Sequence, residues 1–203
     1  MIIADYQFFN MLTQPVRKLR ARVEVFDGST LAIICGCHDR LKYFTVERLG
    51  DSSKFYGYGI CHKLSAHLID KDRELDITTA NTLEVEFGVD YEYLYPFPNF
   101  YVTEVNRDEN TNELSITAYD AIYKANNIKL PTAYTIGEFA EICAAAIGVP
   151  VDSNSLNIAA FNTVYSNGGN FNGSETVRAA LDAVAEATQT IYYINHKWEL
   201  VFK

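Results

Sequence analysis

NFYVTEVNRDENTNELSITAYDAIY, residues 99–123, decides how the rest of the chain is read. Phe100, Val102 and Val105 lie in one apolar-rich run, and Leu114, Ile116 and Ala118 alternate with Ser115, Thr117 and Tyr119 in the next. A period of two describes strands with one face buried. Between the runs, Asn106–Asn112 is rich in Asn and Asp, whose side chains bond nearby backbone and tolerate left-handed conformations. The stretch therefore reads as a long antiparallel hairpin with a polar tip. Asp120 closes the second strand and is placed to N-cap a helical turn over Ala121–Ala125. Phe100, Val102, Ile116, Tyr119 and Asp120 are its expected structural residues, and truncating Phe100 or Tyr119 is expected to damage folding.

Working upstream, Asp27-Gly28 is a tight-turn signal between Arg20–Phe26 and Thr30–Cys35, hence a second hairpin. Tyr43–Leu49 and Gly57–Ile69 supply further strands, and Gly57 and Gly59 point to a bulge or a close backbone approach. Thr82–Val89 alternates Leu83, Val85 and Phe87 with Glu84 and Glu86. In Asp90–Asn99, Pro96 and Pro98 bar a central strand, leaving an aromatic loop or edge. Its Tyr91, Tyr93, Tyr95 and Phe97 suit stacking on sugars or bases, or a subunit contact; Tyr is amphipathic and enriched at interfaces. Arg17, Lys18, Arg20 and Arg22 read either as a phosphate or acidic-partner patch or as a solvated strand face. Alternation of the arginines with Ala21, Val23 and Val25 favours the second.

The composition changes after Asn126-Asn127. Thr135-Ile-Gly-Glu138 is a capping box, and Ile136, Phe139, Cys143 and Ile147 fall on one helical stripe ended by Gly148 and Pro150. Asp152–Gly173 is rich in Asn, Ser and Gly and reads as loop, with one short strand around Asn162–Tyr165; its Asn172-Gly173-Ser174 is a formal sequon. Ser174 is the expected cap of a second helix with Val177, Leu181, Val184 and Thr188 on one face. Ile191–Ile194 and Trp198–Phe202 flank Asn195-His196-Lys197 as a closing hairpin. The expected organisation is an N-terminal arm (1–16), a β-rich domain (17–127) and a small α+β domain (128–203).

Of 203 residues, 48% are hydrophobic and 21% charged, as in ordinary globular proteins. The formal net charge of −9 opposes non-specific binding to DNA phosphates. No apolar run approaches the roughly 20 residues that span a bilayer, and Met1–Leu12 lacks the basic and apolar regions of a signal peptide. The expectation is a soluble chain made in a cytoplasm. Cys35, Cys37, Cys61 and Cys143 are too few and too irregular for a disulfide framework. Cys35 and Cys37 end a strand pattern and share a face, so both are expected as small core hydrophobes rather than metal ligands. Asp70–Asp76 alternates carboxylates but has Leu75 and Asn81 where a calcium loop needs Gly and Glu, so a charged turn is expected.

The strand–turn–strand of residues 99–123, with F-x-V-x-E-V followed by I-T-A-Y-D-A, resembles the tube-forming domain of phage tail-tip hub proteins. That family comprises the N-terminal regions of tail-associated lysins, prophage tail endopeptidases and minor structural proteins. Leu41–Leu49 and Lys54–Leu64 resemble the same family, and the later helix, loop, helix and hairpin match its next module in order. The resemblance implies a mainly β fold with an α+β second module, an antiparallel barrel-like tube domain followed by two helices and a hairpin. It implies a structural part of the virion at the tail tip, a baseplate hub that trimerises, meets a distal tail ring and the tail tube or tape-measure protein, and lets double-stranded DNA pass without sequence-specific binding. The family carries two tube domains per subunit and this chain shows one. The isolated chain is therefore expected to be monomeric or weakly associated. On this reading Glu84, Glu86, Asp70, Asp72, Glu74 and Asp76 line the lumen, or are simply solvated.

No cofactor, metal site or catalytic set is legible: G-x-S-x-G, H-E-x-x-H and P-loop patterns are absent. Cys61 and His62 are neighbours that a strand points to opposite faces, and His38, His67 and His196 have no evident partners. The stretch is not read as an enzyme; lysin activity in the family lies C-terminal to the matched region. A carbohydrate- or receptor-binding module, resting on the Asp90–Asn99 aromatics, is the second reading, and a fragment of a cell-wall-degrading tail enzyme the third.

Overall fold

The structure, a computed structural model, describes residues 19–37, 39–51, 53–89, 93–130, 139–155 and 174–203. The expected N-terminal arm, Arg17, Lys18, His38, Tyr91, the Thr135–Glu138 capping box, the strand at Asn162–Tyr165 and Asn172-Gly173 of the sequon lie outside those residues. Among them the chain is mainly strand with a few helices, as expected. It divides into two compact units: the chain to Val46 with Leu64–Ala118, and Glu47–Lys63 with Tyr119–Lys203. This division differs from the sequential split at 127/128. Two long strands, β3 (Leu41–Leu49) and β4 (Tyr58–Ile69), each contribute to both units, a continuity that no change in composition signals.

In the first unit, β1 (Leu19–Asp27) and β2 (Thr30–Gly36) form the expected hairpin around Gly28, whose φ of 59° is the left-handed conformation the turn needs. β5 (Thr82–Val89) pairs antiparallel with β1 along its whole length. β7 (Phe100–Asp108) and β8 (Glu113–Tyr119) are the hairpin of the opening stretch, with Asn112 at φ 54° in its tip. The strand order is β4-β8-β7-β5-β1-β2, with β3 on β4. β6 (Tyr93–Pro96), the proline-bounded aromatic segment, sits on β5 off this path. Among the described residues no ladder joins β2 to β3, so the sheet is open and the expected barrel is not closed here by hydrogen bonds.

Period two sets the core. Val23 and Val25, Leu64, Ala66 and Leu68, Leu83 and Val85, Phe100 and Val102, Leu114, Ile116 and Ala118 all face one cluster. Tyr119 does not join it. It shares the face of Ser115 and Thr117, is half-buried, and stacks on Tyr123 with ring centroids 4.3 Å apart. Cys35 is buried as expected, whereas Cys37, just past the end of β2, is exposed. The shared face holds only while the strand lasts.

In the second unit, the start of β4 pairs in parallel with β9 (Ile191–Ile194), which in turn pairs antiparallel with β10 (Leu200–Phe202). Helices α1 (Ala121–Lys124), α2 (Phe139–Ile147) and α3 (Val177–Thr188) belong to the same unit, and α2 packs on α3. Phe139, Cys143 and Ile147 are buried along α2, as the stripe requires. The cap of α3 is Thr176 rather than Ser174, its hydroxyl accepting from Ala179 N–H at 3.2 Å. Both glycines of β4's approach are explained by packing: a Cβ on Gly59 would lie 2.4 Å from the Tyr192 ring, and one on Gly57 would lie 3.1 Å from the Glu186 backbone.

Candidate functional site

Four groups of side chains in the structure carry chemistry worth testing for function. The first is the His62–Asp120 pair in the second unit. Asp120 directly follows β8 and caps α1, its Oδ1 accepting from Ile122 N–H at 3.0 Å, as the sequence predicts. Its Oδ2 accepts from His62 N–H at 2.8 Å and lies 2.8 Å from His62 Nδ1, while its own N–H donates to the His62 carbonyl at 3.0 Å. Asp120 is fully buried and His62 nearly so. A carboxylate that orients an imidazole is half of a nucleophilic triad, and Cys61 is adjacent in sequence. The geometry does not complete it. The Cys61 thiol turns to the His62 carbonyl, 3.7 Å away, and burial pushes it up, away from thiolate, with Asp120 adding to the effect. The arrangement is a clamp of β8 and α1 onto β4.

The second group extends this clamp. Arg178 on α3 donates from Nη2 to the Gly59 carbonyl at 3.0 Å and from Nε to Asp182 at 3.2 Å. Tyr192 OH donates to the other Asp182 oxygen at 2.6 Å, and the guanidinium lies 5.4 Å from the Tyr192 ring centroid. Burial pushes the Tyr192 phenol up, and Cys143 on α2 rises likewise to about 12, so both stay neutral. The Arg178, Asp182 and Tyr192 atoms named here all have partners within the unit, which is how a structural network looks.

The acids expected to line a lumen separate into two sets. Asp70 is buried at 2% exposure and paired with Arg107, and it also accepts from the N–H groups of Glu74 and Leu75 at 2.9 and 3.2 Å. Burial alone would raise its carboxyl, but Arg107 and these amides hold it below the usual carboxylate range. It is committed inside the first unit and is not a solvent-facing acid. Asp72, Glu74 and Asp76 are exposed, and Glu74 pairs with Arg40 at 3.0 Å. Glu84 and Glu86 are half-buried on β5. Register places Glu24 opposite Glu84 and Arg22 opposite Glu86, and Arg22 pairs with both Glu24 (3.1 Å) and Glu86. Burial first, then Glu24 and Glu86, push the Glu84 carboxyl up. The face is an acidic cluster, three carboxylates around one guanidinium.

Of the aromatics expected either to stack on a ligand or to meet a subunit, Tyr93 and Tyr95 stand on β6 opposite Val89 and Phe87, and Phe97 meets Phe44 edge-on at 6.2 Å against the core. Phe97 is thus in part a core residue. Sequence reading gave His67 no evident partner, whereas it stacks on Tyr43 at 4.2 Å and bonds Ser115 Oγ at 3.0 Å. The i, i+2 face of β4 was the available signal. Among the described residues, no group of three or more His, Cys, Asp or Glu is placed to hold a metal ion, and no helix is long and apolar enough to cross a membrane.

Comparison with solved structures gives the fold its context. The chain is similar to the prophage MuSo2 43 kDa tail protein from Shewanella oneidensis, with a TM-score of 0.51 and 13% identity over 90% of this chain and 52% of that one. It is also similar to a tail protein from Neisseria meningitidis MC58, with a TM-score of 0.54 and 15% identity over 91% and 51%. The chain has the fold of phage tail proteins. It spans about half the length of each. No protein-family profile matches the sequence, and no curated protein does.

Proposed function

We propose that this chain is a structural protein of a phage or prophage tail, and within the tail a hub at the tip. The observation that carries the reading is the fold: nine-tenths of the chain superimposes on two tail proteins despite identities of 13% and 15%. The hub assignment rests further on the resemblance of residues 41–64 and 99–123 to tail-tip hub proteins. On this proposal copies assemble as a trimer between the distal tail ring and downstream fibre or lysin parts, and the first unit continues the tail tube. The role is mechanical, with no reaction of its own; the buried polar networks hold the units rigid. A net charge of −9 suits a conduit from which DNA phosphates are repelled and through which the duplex slides.

Gold-labelled antibody against the chain, applied to tails from a producing strain, tests the placement. Label at the distal tip is expected; label along the shaft, at the head end or absent from tails contradicts the reading. A glycan-binding screen of the chain addresses the receptor-binding alternative.

A further inference from the structure

The neighbouring strands β3, β4 and β8 bring Lys42, Tyr43, His67, Glu113 and Ser115 together, all within the first unit. Ala66 and Leu68 of β4 and Leu114 and Ile116 of β8 fill the core, so His67, Glu113 and Ser115 stand on the opposite face. His67 Nδ1 bonds Ser115 Oγ at 3.0 Å, and the Tyr43 ring stacks on the imidazole at 4.2 Å and 22°. Lys42 Nζ donates to Glu113 Oε1 at 2.6 Å. That bond raises the Lys42 pKa, so the ammonium stays charged at neutral pH. Tyr43 is 48% exposed, an aromatic ring presented to solvent and fixed by its stack.

We propose that this patch is a binding site for a neutral saccharide. A sugar ring has an apolar C–H face and a rim of hydroxyls that both donate and accept. The Tyr43 ring matches the face. Lys42 as donor, Glu113 as acceptor and the Ser115 hydroxyl as either match the rim. Charge then selects the class. One ammonium and one carboxylate cancel, and a chain carrying −9 disfavours anionic sugars and nucleotides, whose charge would meet Glu113. Three strands at about 4.8 Å spacing make a platform roughly 10 Å across, room for two sugar rings. Because the stack already holds Tyr43, binding costs little of its side-chain freedom. The site does not depend on a place in the tail, nor on the aromatic segment of β6, which lies on β5.

The test uses the 203-residue chain with maltotriose, the N-acetylglucosamine trimer and lactose as neutral probes, and sialyllactose as an anionic one. Saturation-transfer NMR is expected to show contact with at least one neutral probe, with amide shifts at Tyr43, His67 and Ser115. Tyr43→Ala is expected to weaken that binding about tenfold, the scale of one aromatic contact, while Tyr43→Phe retains it. Glu113→Gln, which keeps the side chain's shape, should weaken it as well and serves if Tyr43→Ala fails to fold. Tyr56→Ala, at an exposed aromatic of the second unit, should leave it unchanged. No transfer to any neutral probe, preference for sialyllactose, or a folded Tyr43→Ala chain that binds like the parent overturns the proposal. None of these results touches the tip labelling, so the two readings fail separately.

Discussion

Asp120 Oδ2 lies 2.8 Å from Nδ1 of His62, a residue 58 positions earlier, and both side chains are buried. One carboxylate thus caps a helix, holds a strand backbone and fixes an imidazole. Removing it strips three bonds at once and leaves buried donors without acceptors. Asp120→Ala is therefore expected to destabilise the chain by about 3 kcal/mol or more, well beyond the ~1 kcal/mol of a cap alone. Asp120→Asn, which keeps one acceptor oxygen, should cost less. Urea unfolding at pH 7 measures both, and a loss equal to a simple cap would show that the His62 contacts carry nothing.

Gly59 and Tyr192 make a second testable pair. A methyl group at residue 59 would lie 2.4 Å from edge atoms of the Tyr192 ring, so Gly59→Ala is expected to cost about 1–3 kcal/mol through overpacking. Made in a Tyr192→Leu background, the same change should cost markedly less. Additive losses in the double-mutant cycle would rule out the close approach.

Asp70 sets the acid limit of the first unit. Its folded pKa is depressed below the unfolded value, so its stabilisation is complete above the ordinary carboxylate pKa and is lost as pH falls through the folded value. Arg107→Ala should cost about 3 kcal/mol at neutral pH, toward the low end for a broken buried pair because Arg107 is 31% exposed. The difference from the parent should shrink below about pH 4. A pH-independent difference contradicts the ion pair.

Glu84 acts with the opposite sign. Its folded pKa is raised, so the charged form costs stability above that pKa and the cost is relieved as pH falls through it. Glu84→Gln is expected to stabilise the chain at pH 7 by a few tenths to about 1 kcal/mol, the scale of like charges opposed across strands. The gain should disappear in acid. Destabilisation at pH 7 would mean that Glu84 is bonded more strongly than it is repelled.

These effects also mark what the sequence could and could not reveal. Strands were legible where one face is buried: Leu114, Ile116 and Ala118 announce β8, and Asp27-Gly28 announces the β1–β2 turn. Gly57 and Gly59 likewise betrayed a close approach, although nothing local named Glu186 and Tyr192 as the neighbours. The Phe100 core position followed from the same period, and Tyr119 on the opposite face shows that an aromatic residue need not follow the apolar side. The His62–Asp120 bond, the Asp70–Arg107 pair and the parallel β4–β9 ladder were not legible. Each joins residues far apart in sequence, and partner choice at that range is set by the packed sheet rather than by spacing. Asp70 illustrates the consequence: in sequence it is one acid in a charged turn, and in the fold it is the buried one.

The central claim is a structural place at the tail tip, and a density map of the intact tail tests it most directly. An electron cryo-microscopy reconstruction of the distal end is expected to hold three copies of this chain around the tail axis, with the strands of the first unit walling an open channel. Three-fold density at the tip into which β1–β8 fit supports the account. A tip reconstruction in which this fold is absent, or found only in peripheral fibres away from the channel, contradicts it.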